Sequence, residues 1–218
     1  MKLSQTHIYI VKTVIHAVQL FAAVWLFFAV KNGYFGAEPV DQIIHFTGKS
    51  AIHSFIATLL VSPIAQWFKL GLLCKTRRLL GLYTFGWAIA HFVSYAWFEL
   101  GFDWRLLGGE IIQRPYLVVG AISWVILAVL ALTSLQKTQR NLGRNWQVIH
   151  NWIYIAALLI PLHYLWSVKS GLIEPSLYAL GLMALLWFRK DKIKRWLKQG
   201  IFPSKANQRP SRHKRVNS

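Results

Sequence analysis

Acidic residues are what this chain of 218 residues most conspicuously lacks: seven Asp and Glu stand against 25 Lys and Arg, a formal charge of +18. Cysteine is scarce too. Cys74 is the single one, so no internal disulfide can form. No Gly-rich phosphate loop of the Walker or Rossmann kind occurs, which argues against a dinucleotide-binding domain. No internal repeat, soluble domain or low-complexity segment stands out, and Lys31-Asn32-Gly33, Gly108-Gly109 and Asn141-Leu142-Gly143 are expected to mark short loops. Charge of either sign is missing from residues 14–30, 50–68, 79–98, 115–135 and 145–168, and from a shorter run at 175–188 that follows Glu174.

Those uncharged runs set the fold class. A helix needs about 20 residues to cross a hydrocarbon core of about 30 Å. In lipid every backbone polar group must be bonded internally, so such runs form helices. The expectation is an all-α, polytopic membrane protein with about six spanning helices over residues 1–188. The sixth span is short and relies on its ends reaching into the interface. A basic tail, 189–218, follows, and beyond Pro203 it is polar, lacks an apolar period and is expected to be disordered.

The basic residues orient the bundle. With the amino terminus in the cytoplasm, segments 1–12, 69–78, 136–144 and 189–218 hold twenty of the 25 Lys and Arg. The opposite side holds five, Lys31, Lys49, Arg105, Arg114 and Lys169, together with six of the seven acids. By the positive-inside rule both termini are expected in the cytoplasm, as for a polytopic inner-membrane protein. Topology thus explains the charge without nucleic acid. The tail's eleven cations would lie against anionic lipid, at about 1 kcal/mol each near the surface.

Histidine is the informative residue within the spans. His7 and His213 sit in the polar flanks, whereas His16, His45, His53, His91, His150 and His163 lie in or beside spans. An ionisable group at membrane depth is costly and commonly functional, although a single histidine often does no more than bond a neighbouring helix. No carboxylate lies inside the uncharged runs, unlike the usual proton pump. Neutral imidazole is a natural axial ligand for haem iron. His91 lies thirteen residues past Arg78 and eight before Glu99, while His163 lies nineteen past Arg144 and six before Lys169. Both fall in the outer half of spans running in the same direction, which makes His91 and His163 the first choice for a bis-imidazole pair. His150 lies thirteen residues before His163. On an ideal helix that is about 20 Å of rise, with the two rings about 140° apart. A kink at Pro161 would relax that objection. His150 is open to ligation, contact with a propionate or a helix–helix bond. His53 suits an interhelical hydrogen bond. A histidine-dependent metal or proton carrier and a cofactor-free assembly factor are the competing classes, and neither would be pigmented.

The span-five pair His150-x12-His163, matched to His91 in span three, resembles the ferric reductase-like transmembrane superfamily. Over about residues 10–190 the chain is similar, more closely, to the MsrQ (YedZ) family of bacterial membrane subunits. The motifs that carry this likeness are His45-Phe46-Thr47-Gly48, Thr76-Arg77-Arg78-Leu79-Leu80-Gly81-Leu82, Arg114-Pro115-Tyr116-Leu117, His150-Asn151 and His163-Tyr164-Leu165-Trp166-Ser167-Val168-Lys169. The resemblance implies a non-catalytic electron-transfer subunit with haem b, one or two, and FMN. Its electrons would come from the quinone pool or a cytoplasmic flavin reductase. They would go to a periplasmic molybdopterin-dependent methionine sulfoxide reductase that repairs oxidised periplasmic proteins. It implies haem binding at His91, His163 and His150 and leaves the FMN residues unassigned. A four-histidine relative would carry an inner histidine near position 77, where this chain has Arg77 and Arg78. These serve topology, or bind haem propionates or a flavin phosphate at the cytoplasmic mouth. His16 is the candidate for a second haem, and His45 for the outer haem edge or the partner surface.

The orientation makes a prediction. An alkaline phosphatase fusion after Ser218 should be inactive and a cytoplasmic reporter there active; phosphatase activity would invert every depth assignment.

Overall fold

The computed structural model describes residues 4–168 and 171–202. His213, Lys169 and the tail beyond residue 202 lie outside them. The described residues form ten α-helices and no strand. In chain order these are α1 (Gln5–Lys31), α2 (Pro39–Trp67), α3 (Arg77–Ser94), α4 (Trp104–Gln113), α5 (Pro115–Leu132), α6 (Gln136–Leu142), α7 (Asn145–His150), α8 (Ile153–Ser167), α9 (Ile173–Trp187) and α10 (Lys190–Gln199). A 3₁₀ turn (Gly71–Thr76) leads into α3, and a π-helical turn (Tyr95–Glu99) follows it.

Four segments are both long and apolar enough to cross a membrane: Gln5–Lys31, Gly71–Glu99, Pro115–Leu132 and Asn145–Ser167. The second and sixth expected spans fall outside that set for different physical reasons. Helix α2 has 29 residues, ample length, but carries Asp41 and Lys49 and a run of hydroxyl side chains. It can be this polar because it is the most enclosed helix, with Thr47, Ser54, Phe55, Thr58, Leu59 and Ser62 among its buried residues. Helix α9 has 15 residues, fewer than the bilayer core requires. Arg189, just past it, is buried and donates to the carbonyls of Leu185 and Leu59, which pins the end of α9 to α2.

Small and hydroxyl residues bring α2 and α3 together. Ser54, Thr58 and Ser62 recur every fourth position on α2, and a Cβ added at Gly81 of α3 would meet Thr58 at 3.9 Å. Small side chains at this spacing let helix backbones approach in lipid, where burial of apolar surface supplies no net drive. Thr58 bonds the Ser54 carbonyl and Thr84 that of Leu80, one turn back on their own helices, so these hydroxyls need no partner across the interface.

Several local expectations are corrected. Gly108-Gly109 do not mark a loop: they lie inside α4, whose first turn is capped by the Asp103 carboxylate accepting from the N–H groups of Arg105 and Leu106. Gly33 and Gly143 do punctuate, at φ 68° and 52°. The break in span five falls at Asn151–Trp152, directly after His150, while Pro161 sits inside α8. The 140° objection therefore lapses, because His150 and His163 are not on one continuous helix. The first part of the tail packs on the bundle, while the disorder expected beyond Pro203 falls outside the described residues. In α10, Trp196 is buried 5.9 Å from the Tyr154 ring of α8, and the Trp152 indole donates to the Ile201 carbonyl at 2.9 Å.

A paired-histidine candidate site

Two hairpins frame the site, α2 with α3 and α5 with α8. In the first, His91 of α3 reaches across so that its Nδ1 lies 2.9 Å from the Ile44 carbonyl of α2. In the second, His163 of α8 places its Nδ1 2.7 Å from the Tyr116 carbonyl of α5. A carbonyl oxygen only accepts, so in both rings Nδ1 must carry the proton. The neutral imidazole then leaves the Nε2 lone pair unclaimed, the arrangement in which a second-shell acceptor fixes the tautomer of a metal-ligating histidine.

Close packing holds the rings there. One turn beyond each accepting carbonyl stands a glycine, Gly48 after Ile44 and Gly120 after Tyr116. A Cβ at Gly48 would come 3.1 Å from the His91 ring, and one at Gly120 would come 2.7 Å from His163 Cε1. Glycine is what lets each imidazole lie against the neighbouring backbone. The two histidine rings face each other at 6.3 Å between centroids, with planes inclined at 76°.

The hairpins are two copies of one device. Ile44, Gly48 and His91 become Tyr116, Gly120 and His163 by adding 72 to each number, and histidine and carbonyl are 47 residues apart in both. This corrects the expectation of no internal repeat. The repeat survives in three backbone-critical positions and in the topology, with little likeness between the apolar residues that separate them. The same offset pairs His150 with Arg78, so the symmetry breaks at the opposite end of the hairpins.

The other candidates are placed differently. His150 stacks on Trp146 at 4.1 Å, and its Nε2 is 3.2 Å from Thr133 Oγ1. That hydroxyl spends its hydrogen on the Val129 carbonyl at 2.7 Å, so it accepts from His150, whose Nε2 must carry the proton. His150 thus holds the opposite tautomer to the facing pair. His16 Nδ1 bonds the Tyr83 hydroxyl at 2.5 Å. His45 lies 3.5 Å from Asp41. His53, as expected, makes an interhelical bond, from Nε2 to the Tyr178 hydroxyl at 2.6 Å. Arg77 and Arg78 are both exposed at the start of α3, and Arg77 acts electrostatically on His150. Gly120 and Trp124 were not singled out by sequence reasoning, and Gly48 entered only as a motif residue with no role assigned. The 72-residue offset could have found the glycines. Trp124, whose enclosed indole N–H has no hydrogen-bond partner among the described residues, sits one turn past Gly120, with Phe92, the neighbour of His91, at 5.5 Å. Among the described residues, no group of three His, Cys, Asp or Glu is arranged to hold a metal ion.

The family model described as "Ferric reductase like transmembrane component" matches residues 43–161, from just before the first carbonyl to two residues short of the second histidine. The chain is 49% identical over 197 residues to the "Protein-methionine-sulfoxide reductase heme-binding subunit MsrQ" of Cronobacter sakazakii, covering 90% of this chain and 98% of the relative. The chain belongs to the MsrQ family. The Enterobacter MsrQ is likewise 49% identical, over 90% of this chain and 99% of its own, and that of Klebsiella pneumoniae is 50% identical over 85% and 92%. No solved structure matches the chain. Family membership and the four long apolar segments together make this a membrane protein, and the span of the MsrQ match includes both hairpins and the paired histidines.

The glycines supply a test of the geometry. Gly120→Ala should force the His163 ring or α5 to move and cost about 1–3 kcal/mol as overpacking does. Gly48→Ala, whose added Cβ would stand 3.1 Å from its ring rather than 2.7 Å, should cost less. Thermal unfolding in detergent should show a larger fall for Gly120→Ala than for Gly48→Ala; the reverse order would contradict the packing described.

Proposed function

We propose that this chain is the haem-binding electron-transfer subunit of a protein-methionine-sulfoxide reductase system, with His91 and His163 as the axial ligands of a haem b. The observation that carries the reading is the shared tautomer: both rings are tied at Nδ1 to a backbone carbonyl and both keep Nε2 free. Their separation fits as well. Two iron–nitrogen bonds of about 2 Å each, plus the two half-widths of the rings, come to about 6 Å between centroids. The structure has 6.3 Å. The enclosed Trp124 N–H adds an unsatisfied donor beside the same space.

When bound, haem supplies a one-electron couple, ferric to ferrous, and this chain's residues supply its setting. The Ile44 and Tyr116 carbonyls raise the basicity of their histidines and hold both rings in place, favouring six-coordinate low-spin iron and little rearrangement on electron transfer. The flanking helices exclude water. His150, at the far end of the α5–α8 hairpin beside Arg77, stands where an electron from the cytoplasmic side would enter. It ligates a second haem only through Nδ1 or by giving up Thr133. Arg77 and Arg78 are exposed cations suited to haem propionates or to the phosphate of FMN, the flavin expected of this family, whose binding residues are otherwise unassigned. Electrons come from the quinone pool or a cytoplasmic flavin reductase and leave at the opposite face, lined by Glu38, Asp41, Glu99, Asp103, Glu110 and Glu174. That face suits a periplasmic molybdopterin-dependent reductase with a basic docking surface, whose encounter weakens with salt. The chain sits in the inner membrane with both termini cytoplasmic, as residues 1–188 forming the haem-binding domain and 189–218 its basic cytoplasmic extension.

Optical spectroscopy of the purified protein tests this. The wild type should show a low-spin haem b spectrum, and His91→Ala or His163→Ala should abolish or severely reduce it. His150→Ala should keep the outer haem and slow its reduction from the cytoplasmic side. Reduced wild type should reoxidise with methionine sulfoxide only when the periplasmic reductase is added. A full low-spin spectrum in both alanine variants, or sulfoxide-driven reoxidation without a partner under anaerobic conditions, would overturn the proposal.

A further inference from the structure

A second polar site lies midway along the bundle, on its lipid-facing side. Gln19 is fourteen residues into α1, and His53 is fourteen into α2 with fourteen more to its end, so both fall near the middle of their helices. Helix α1 buries only Ile8 and Ala29 and leaves a cleft of about 330 Å³ against α2. Its walls are aliphatic, from Val14 to Leu80, and four polar side chains line it: Gln19, Ser50, His53 and Ser54. Polar groups at this depth are costly, and His53 is exposed there, which marks the cleft as functional.

Two connections lead out of it. Gln19 Oε1 accepts from the Trp87 indole at 2.6 Å, and Gln19 Nε2 donates to Ser54 at 3.2 Å. Trp87 is buried one helical turn before His91 on α3, so the cleft adjoins the paired-histidine site. In the other direction, His53 Nε2 bonds the Tyr178 hydroxyl at 2.6 Å. One turn back along α9 is Glu174, paired with Lys49 at 2.8 Å, and Glu174 acts electrostatically on His53, Tyr164 and Tyr178. A titratable ring in the cleft is therefore bonded to a phenol that lies one helical turn from the Lys49–Glu174 ion pair, with the Tyr164 ring 5.8 Å from its own.

We propose that this cleft binds the head group of a membrane quinol, with Gln19, Ser50 and Ser54 holding its ring oxygens and His53 taking its protons. The occupant must arrive through lipid, must carry polar atoms that match an amide, two hydroxyls and an imidazole, and must have protons to give. A hydroquinone with an apolar tail meets all three conditions. Its oxidation to the quinone breaks two O–H bonds and releases two protons and two electrons. The protons leave one at a time through His53 and Tyr178 toward Glu174 and Lys49. A haem held by His91 and His163 would supply the one-electron acceptor, used twice for each quinol. The inference rests on the haem reading above and assigns the site of its quinone donor.

The test is photolabelling of the full chain in detergent with an azido derivative of a short-chain ubiquinone, the sites mapped by peptide mass spectrometry. Labels should fall on α1 around Gln19 and on α2 around His53, and excess decylubiquinone should suppress them. Ser50→Leu should cut labelling at least tenfold while the haem spectrum and unfolding temperature stay as in the wild type, and Gln19→Leu should cut it as far with the haem spectrum unchanged. His53→Gln should slow haem reduction by decylubiquinol at least tenfold and leave reduction by dithionite unchanged. Labelling elsewhere, labelling that persists in both leucine variants, or suppression by phospholipid as effective as by quinone would overturn the site, the last showing a groove for acyl chains. Labelling as expected in a protein without haem would instead overturn the haem reading and leave the binding site standing.

Discussion

Two hydrogen bonds organise the centre of this molecule, each from an imidazole Nδ1–H to a helix carbonyl in the same hairpin. Each fixes a tautomer, a ring orientation and the distance between two helices. A helical carbonyl is normally occupied by its own N–H, and a second donor can use its other lone pair only if the side chain comes very close. Gly48 and Gly120 make that approach possible. Add a side chain at either glycine and the ring or the helix must give; move the ring and the 6.3 Å between the two imidazole centroids changes. The hydroxyl-rich face of α2 serves the same end by drawing α3 close to it.

Much of this was legible from residue types alone. Uncharged runs located the apolar helices, and the depths of His91 and His163 relative to flanking charges placed them together without any contact information. What escaped was detail that depends on backbone geometry. The spacing of His150 and His163 suggested a rotational conflict, because a continuous helix was assumed where the chain breaks at Asn151–Trp152. The amphipathic α4 was read as a loop because two glycines suggested one, yet a capping Asp103 and a period of apolar residues outweighed them. The 72-residue repeat was missed for a physical reason. Apolar residues facing lipid are interchangeable, so only the carbonyl, glycine and histidine positions of the two hairpins preserve it.

The repeat also explains why the two ends of the hairpins differ in chemistry. At the paired-histidine end both copies supply the same group, as the proposed ligation of one iron by two histidines would require. At the other end one copy has His150 and the other Arg78, with Arg77 beside it, so that end offers a single imidazole and exposed cations. An electron carrier with distinct donors and acceptors needs such polarity. Carboxylates gathered at one face and arginines and lysines at the other extend it over the whole bundle.

The central claim is that His91 and His163 clamp one haem with their rings nearly at right angles, the 76° between their planes. Low-temperature electron paramagnetic resonance of the oxidised protein reads that angle directly. Near-perpendicular imidazole planes should give a strongly anisotropic low-spin ferric signal that disappears in both His91→Ala and His163→Ala. A rhombic low-spin signal of the kind parallel planes produce, or a high-spin signal in the wild type, would contradict the account.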